Sequence, residues 1–283
     1  HPSATHAVTR LPMRSNRAIG CITVIIWLVQ SSANAFADTS RDTINPGLPG
    51  IALIIDDLGN QRSQGLQAIS LPGPITCAFL PSGPYTRALA RKAFAVNKEI
   101  MLHLPMQALD HEHEHVEPGT LTLDMSQQQF IERLQQSLAA VPHVSGLNNH
   151  MGSLMTRHPG NMAWLMEAIS ERGDLFFVDS RTTHFTVAKQ LANEYGIPSI
   201  SRNVFLDNQP QPEAIRAQFR RLVAIARRDG TAVGIGHPQP ATLQVLAEEL
   251  EKLPQQGIQL LPVSRLIELQ NERRLAWQTS SSP

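Results

Sequence analysis

Short apolar runs alternate with longer amphipathic stretches along most of this chain. The run Ile51–Ile55 is apolar at all five positions, a pattern typical of a parallel strand that is buried on both faces. Runs of similar length recur further along the chain and predict strands at 75–79, 99–104, 144–147, 175–178, 197–200, 231–235 and 258–261.

The stretches between these runs carry apolar residues every three or four positions, which predicts helices. Ser126 can cap a helix that places Phe130, Leu134 and Leu138 on one face, and Gly173 can end another helix. The other predicted helices span 61–70, 86–95, 161–172, 187–195, 213–228, 240–252 and 263–274. This alternation indicates a parallel sheet with helices outside, and both a barrel and an open doubly wound sheet fit it.

The first 37 residues look like upstream residues and a signal peptide. Met13 is the expected start, a mostly apolar run covers 18–29, and Ala35-Phe36-Ala37 has the small-x-small pattern of a signal-peptidase site. A membrane span needs roughly 20 apolar residues, so we expect cleavage, a periplasmic or secreted protein and no stable span. The alternative is an uncleaved anchor. The expected divisions are 1–37 as upstream residues and signal peptide, 38–50 as linker, 51–276 as one domain and 277–283 as a polar tail.

Composition excludes some classes of protein. The chain is 42% hydrophobic and 17% charged, so it can bury a core and is not broadly disordered. Lys plus Arg equals Asp plus Glu at 24 each, which gives no electrostatic reason to expect a nucleic-acid partner. Because Cys21 leaves with the signal peptide, Cys77 is alone and the mature chain cannot form an internal disulfide.

Polar residues follow several of the predicted strands directly. In parallel α/β folds functional groups gather at the carboxyl ends of strands, so we take these residues as candidates. They are Asp56, Asp57, His103, Asn148, Asn149, His150, Asp179, Ser180, Arg181 and His237. One carboxylate and two imidazoles form a common catalytic zinc site, and a second carboxylate and a separate histidine can act as base and acid. Taken singly, each residue could be structural, and Asp57 could be a helix N-cap.

Six segments together resemble the polysaccharide deacetylase superfamily of NodB-like carbohydrate esterases, and more closely its divergent YibQ-like branch. They are IALIIDDLGN, EIMLHLPMQ, PGTLTLDMS, GLNNHMGS, FFVDSRTT and GIGHP. The resemblance covers roughly residues 50–269. It implies a distorted (β/α) barrel with about seven parallel strands.

The resemblance also implies roles for individual residues. Asp56 is similar to the general base of the family, and Asp57 and His103 are similar to metal ligands. Gln107 stands where the family has a second metal-binding histidine. A neutral amide is a weak zinc ligand, so we expect His150 to complete the site.

Further roles follow from the later segments. Asp179 resembles the aspartate that orients groups near the base, and His237 resembles the histidine that protonates the leaving amine. We place Gln107 with three other residues beside the substrate or behind the ligands: Asn149, Ser180 and Arg181. The expected cofactor is Zn²⁺ or another divalent transition metal, and the expected substrate is a glycan carrying N-acetyl groups.

A second interpretation is a non-catalytic envelope protein that keeps the barrel and binds a glycan or a protein partner. Gln107 favours it, because the second-motif histidine is missing. The retained base and acid candidates, Asp56 and His237, favour an enzyme. The His/Glu alternation at 110–115 lies between a strand and Pro118-Gly119, so we interpret it as an exposed loop rather than a specific metal site.

Overall fold

The computed structural model of this protein describes residues 44–109 and 116–280. The expected signal peptide and the His/Glu alternation at 110–115 lie outside the described residues. Within the described ranges, none of the helices combines the length and apolarity that crossing a bilayer requires.

The strands of the described chain belong to one sheet in which every pairing is parallel. They are β1 Gly50–Leu58, β2 Thr76–Phe79, β3 Glu99–Met106, β4 Gly146–Met151, β5 Phe176–Asp179, β6 Ser199–Ser201, β7 Val204–Phe205, β8 Thr231–Gly236 and β9 Gln259–Leu260. Eight of them follow the order β6-β5-β4-β3-β2-β1-β8-β7, and β9 pairs with the start of β1.

The two ends of this path meet, because β6 and β7 are separated only by Arg202 and Asn203. The Arg202 amide donates to the Asp179 carbonyl on β5 (3.0 Å), and the Asn203 amide donates to the Val233 carbonyl on β8 (2.9 Å). The sheet therefore curls until a two-residue seam joins its edges. The predicted distorted barrel is confirmed, with eight strands in the path rather than about seven. Val204–Phe205 is too short an apolar run to be recognised as a strand in the sequence.

The helices lie where the amphipathic stretches predict them, with small shifts at the ends. They are α1 Arg62–Ser70, α2 Thr86–Ala95, α3 Gln127–Ala140, α4 Pro159–Arg172, α5 Ala188–Glu194, α6 Pro212–Asp229, α7 Pro240–Leu250 and α8 Val263–Ser280. Ser126 caps α3 as predicted, because its side chain accepts from the Gln129 amide while the Gln129 side chain accepts from the Ser126 amide. Helix α8 continues to Ser280, so it includes the first residues of the expected polar tail from residue 277.

Both faces of β1 are buried, as its uninterrupted apolar sequence predicts. Leu53 and Ile55 belong to the large apolar cluster that includes residues of the surrounding helices. Ala52 and Ile54 point the other way and belong to a smaller inner cluster. β1 therefore packs between the helical layer and the inside of the barrel.

Helix α8 closes the barrel at the amino ends of the strands. Its residues Val263 and Leu266 belong to the inner cluster, and its first turn is held by Glu99, the first residue of β3. Glu99 Oε2 accepts from the Val263 amide (2.7 Å) and from the Thr76 hydroxyl (2.8 Å), and Glu99 Oε1 accepts from the Ser264 amide (3.2 Å). A carboxylate at a helix amino terminus satisfies free N–H groups and interacts favourably with the helix dipole. The carboxyl ends of the strands stay open at the opposite side.

Glu99→Ala should lower the free energy of unfolding by about 2–3 kcal/mol, because two amides of α8 and the Thr76 hydroxyl lose their acceptor. Glu99→Gln, which keeps one oxygen, should cost less. Urea unfolding measures both values. Glu171→Ala, an exposed position near the end of α4, is the matched control and should change stability by less than about 0.5 kcal/mol. Equal losses at positions 99 and 171 would contradict this account of α8.

Candidate active site

Four strands bring predicted site residues to the open end of the barrel. Asp57 lies near the end of β1, His103 lies on β3, His150 lies near the end of β4, and His237 directly follows β8. Because all the strands run parallel, these ends face the same side. The structure places the four side chains around one point, at the end of the barrel opposite the one that α8 closes.

Three of these side chains form a nearly equilateral triangle of potential ligand atoms. His103 Nε2 lies 3.1 Å from Asp57 Oδ1 and 3.0 Å from His150 Nδ1, and His150 Nδ1 lies 3.1 Å from Asp57 Oδ1. A cation with tetrahedral bonds of about 2.0 Å holds its ligand atoms about 3.3 Å apart. The triangle therefore has nearly the size of one face of such a shell, and these three residues form a group that could hold a metal ion.

The charges around the triangle favour a cation. Burial opposes ionisation of Asp57, but the ring nitrogens of His103 and His150 outweigh it and hold the pKa of that carboxyl well below its usual range. Burial would lower the pKa of His103, but the carboxylates of Asp56 and Asp57 outweigh it and raise that pKa. The site thus stabilises positive charge between the carboxylates and the imidazoles.

Asn148, on β4, determines which nitrogen of His103 is free. Its side chain is fully buried, and its Nδ2 donates to Asp56 Oδ1 (2.9 Å) and to Ser180 Oγ (3.2 Å). A carboxylate only accepts, so the Asn148 oxygen faces His103 Nδ1, at 2.8 Å. In its neutral form His103 therefore carries its proton on Nδ1, which leaves the Nε2 lone pair free at the triangle. That is the form a metal-binding imidazole requires.

Asp56 and Asp57 face the same side, which is not what strand alternation predicts for neighbouring residues. The register of β1 against β2 shifts between Ile55 and Leu58, and Asp57 has the left-handed φ of 56°. This bulge turns both carboxylates towards His103 Nε2, which lies 3.6 Å from Asp56 Oδ2. An irregularity in the strand therefore brings the two aspartates together.

Asp56 is suited to accept a proton. It is only 2% exposed, and burial raises the pKa of its carboxyl although His103 and Asn148 oppose the rise. A carboxylate whose pKa is raised holds a proton more strongly, which improves it as a general base near neutral pH. The Asn148 amide fixes its orientation from behind.

His237 is paired with Asp207, a residue that the sequence did not point to. Its Nδ1 lies 2.9 Å from Asp207 Oδ1, and the His237 amide and the Thr242 hydroxyl both donate to Asp207 Oδ2. Burial alone would lower the pKa of His237, but Asp207, with Asp56 and Asp57, raises it to about 9. His237 Nε2 then points towards the triangle, 3.9 Å from Asp57 Oδ2. Asp207 follows the apolar run Val-Phe-Leu, so the search for polar residues after strands would have found it had β7 been recognised.

The resemblance suggested that Asp179 orients groups near the base, but its hydrogen bonds go elsewhere. Asp179 accepts from the Arg181 amide (2.9 Å) and the Thr186 hydroxyl (3.0 Å), and so shapes the turn after β5. The orienting contact with Asp56 comes from Asn148 instead.

Gln107 and Asn149 support the site without entering it. Gln107 Oε1 accepts from the Leu123 amide (2.8 Å), so its side chain ties down the segment that follows β3. Asn149 accepts from the Ser180 amide (2.9 Å) and donates to the Met151 carbonyl (2.7 Å). Ser180 in turn accepts from Asn148, whereas the Arg181 side chain lines a separate cavity beside the centre.

A cleft of about 440 Å³ leads to this centre from the side of β1 and β8. Asp57 and His237 lie in its wall, together with polar side chains such as Asn60, Gln61 and Gln239. Amide side chains of this kind can exchange hydrogen bonds with hydroxyl groups. The cleft is therefore a polar route along which a hydrophilic substrate can reach the triangle.

Comparisons with known proteins show the family of this chain. The family model described as "Divergent polysaccharide deacetylase" matches residues 53–267. An uncharacterised protein of Haemophilus influenzae (strain Rd) is 37% identical over 216 residues, 76% of each chain. The uncharacterised protein YibQ of Escherichia coli (strain K12) is 38% identical over 224 residues, which cover 79% of this chain and 69% of YibQ.

Two solved structures share the fold. The uncharacterised protein ATU2773 from Agrobacterium tumefaciens C58 superposes with a TM-score of 0.76 at 23% identity, over 80% of this chain and 92% of that one. The peptidoglycan deacetylase PdaC from Bacillus subtilis gives 0.52 at 13% identity, over 84% of this chain and all of that one. With a family model that matches most of its length and relatives of this identity, the chain belongs to the divergent polysaccharide deacetylase family.

Proposed function

We propose that this protein is a metal-dependent N-deacetylase that hydrolyses acetamido groups of an envelope or extracellular glycan. One observation carries the proposal: a triangle of potential metal ligands lies between a buried carboxylate, Asp56, and an aspartate-paired imidazole, His237. Membership of a deacetylase family supports the choice of an amide on a carbohydrate. The periplasmic or secreted location that we propose rests on the leader pattern of the first 37 residues.

The donor atoms fit a divalent transition metal, and we propose zinc. Asp57, His103 and His150 would hold it through one oxygen and two nitrogens, a donor set that zinc commonly adopts in catalytic sites. A metal bound there supplies Lewis acidity, which lowers the pKa of a water and polarises the amide carbonyl.

The residues of the chain then divide the proton transfers of amide hydrolysis. Asp56 takes a proton from the attacking water while the water oxygen bonds to the acyl carbon. His237 gives its Nε2 proton to the amine nitrogen as the carbon–nitrogen bond breaks, so that acetate and a free amine leave. Asp207 keeps His237 protonated and oriented until that step. Asn148 keeps Asp56 in place.

A non-catalytic glycan-binding protein is the second candidate function. It is favoured by Gln107, whose side chain is engaged by the Leu123 amide at the position where the resemblance implies a histidine. The separate base and acid beside the triangle favour the enzyme, because binding alone needs neither.

We expect the protein to bind about one zinc per chain after His111, His113 and His115 are replaced by asparagine, which removes adventitious metal binding. His103→Ala should then lose the zinc, since one of three ligands is gone. Metal analysis after dialysis measures the stoichiometry. His143→Ala, an exposed histidine stacked on Phe94, is the control and should keep the metal. Equal zinc in the two variants would exclude the triangle as the binding site.

Asp56→Asn should retain the metal and lower kcat for acetate release from N-acetylglucosamine oligomers by at least about 100-fold, because an amide cannot accept the proton. Asp174→Asn, an exposed carboxylate paired with Arg172, should leave kcat unchanged. Wild-type turnover in Asp56→Asn would overturn the proposed mechanism.

In the metal-free protein, Asp207→Asn should lower the pKa of His237 from about 9 towards its ordinary value of 6.5, because protonated His237 loses its partner carboxylate while its burial remains and only Asp56 and Asp57 still favour its charge. At pH values between these two pKa values, His237 should be mostly protonated in the wild-type protein and mostly neutral in Asp207→Asn. An NMR titration of the His237 ring protons, assigned with His237→Gln, measures the shift. A pKa that stays near 9 would show that Asp207 is not its cause.

A further inference from the structure

A second cavity, of about 420 Å³, lies beside the proposed centre at the seam of the barrel. The turn after β5, the seam and β7, and helix α6 supply its walls. None of its described lining residues is a carboxylate. The basic lining residues are Arg181, His184, Arg202 and Arg221, and the polar ones are Asn203, Asn208, Gln209 and Gln218. A cavity with this lining is strongly positive.

Three contacts fix the Arg202 side chain in the wall of this cavity. Its Nε donates to the Ser180 carbonyl (2.6 Å), its Nη2 donates to the Arg181 carbonyl (2.9 Å), and its guanidinium stacks 3.7 Å from the centre of the Phe205 ring. All three partners are neutral, and among the described residues no carboxylate forms an ion pair with Arg202, Arg181 or Arg221. Burial, followed by the charge of Arg181, lowers the pKa of Arg202 to about 10, although the carboxylates of Asp179 and Asp56 oppose the fall. The fold therefore holds these cations close together without a direct ion pair, and the carboxylates of Asp179 and Asp56 compensate the charge of Arg202 only in part.

The cavity is joined to the proposed centre through shared side chains. The Phe205 ring, which lines it, stacks on the His237 ring with 6.2 Å between centroids. Arg202 donates to the Ser180 carbonyl, and the hydroxyl of the same serine accepts from Asn148. Asn148 in turn donates to Asp56. A polymeric substrate with one acetamido group between Asp56 and His237 can therefore reach the arginines with a neighbouring unit.

We propose that this cavity binds an anionic group, a carboxylate or a phosphate, that the glycan carries on a unit next to the acetamido sugar. Guanidinium groups bind both anions through paired, charge-assisted hydrogen bonds, and an anion removes the repulsion among the three arginines. The proposal deepens the proposed function and rests on it, because it makes the substrate an acidic N-acetylated glycan rather than a neutral one.

The test compares the binding of three tetrasaccharides of N-acetylated glucosamine units by calorimetry: the neutral one, one with lactyl carboxylates and one with 6-phosphates. The Asp56→Asn protein is used so that no glycan is consumed. At least one anionic tetrasaccharide should bind about tenfold or more tightly than the neutral one, and the arm that shows the preference identifies the anion. Arg221→Gln should reduce that preference about tenfold and leave neutral binding unchanged.

Arg220→Gln is the matched control, because Arg220 is an exposed neighbour on α6 that does not line the cavity. It should leave the preference intact. Equal affinity for all three tetrasaccharides, or equal losses in Arg220→Gln and Arg221→Gln, would overturn the proposal.

Acetate release by the wild-type protein separates this proposal from the proposed function. Release from the neutral and anionic tetrasaccharides alike, without any charge preference in binding, would leave the deacetylase and remove the anion site. A charge preference that Arg221→Gln abolishes, without acetate release from any of the three, would leave the anion site and remove the deacetylase.

Discussion

The buried side-chain amide of Asn148 holds the centre together. It joins Asp56 on β1, His103 on β3 and Ser180 after β5, and it lies on β4 itself. An amide has one accepting and one donating end, so the same side chain gives a carboxylate a donor and an imidazole an acceptor. Because it is fully buried, breaking one of these bonds would leave a polar atom without water, which costs about 1–3 kcal/mol. Four segments of the sheet are thereby held in one arrangement by one residue.

The local irregularity of β1 serves the same centre. A regular strand would have sent Asp56 and Asp57 to opposite faces, one of them into the apolar packing. Left-handed backbone also occurs at Met151 and Arg181, which follow His150 and Ser180 directly. Non-glycine residues in this conformation carry a cost that the surrounding structure must outweigh, and such residues cluster at functional sites. Here they turn the chain just after the residues that build the centre.

The outline of the barrel and most members of the centre could be predicted because both depend on local patterns. Continuous apolar runs mark β1 and β8, and the first polar residues after them include Asp56, Asp57 and His237. Asp207 could not be found this way, since β7 has only two residues and the apolar run Val-Phe-Leu before Asp207 is too short to predict a strand.

The family resemblance offers Asp179 as an orienting residue, whereas the contact of Asn148 with Asp56 depends on how β4 packs beside β3. The cavity at the seam of the barrel, lined by Arg181, Arg202 and Arg221, is harder still to predict. Its cations are distributed over positions 181 to 221, and only the curl of the sheet brings them to one place.

The position of His150 has a consequence for how the family can vary. Because His150 Nδ1, on β4, is the third atom of the triangle, the triangle of Asp57, His103 and His150 needs no residue between Gln107 and Leu121. Its two ends are fastened to each other, because the Gln107 amide donates to the Leu121 carbonyl and the Leu121 amide to the Pro105 carbonyl (both 2.9 Å). Insertions and deletions between such fastened ends disturb little of the remaining structure. Relatives can therefore lengthen, shorten or recompose this segment, and so change the cavity that Val116, Glu117 and Thr120 line beside His150, while the three donor atoms keep their places.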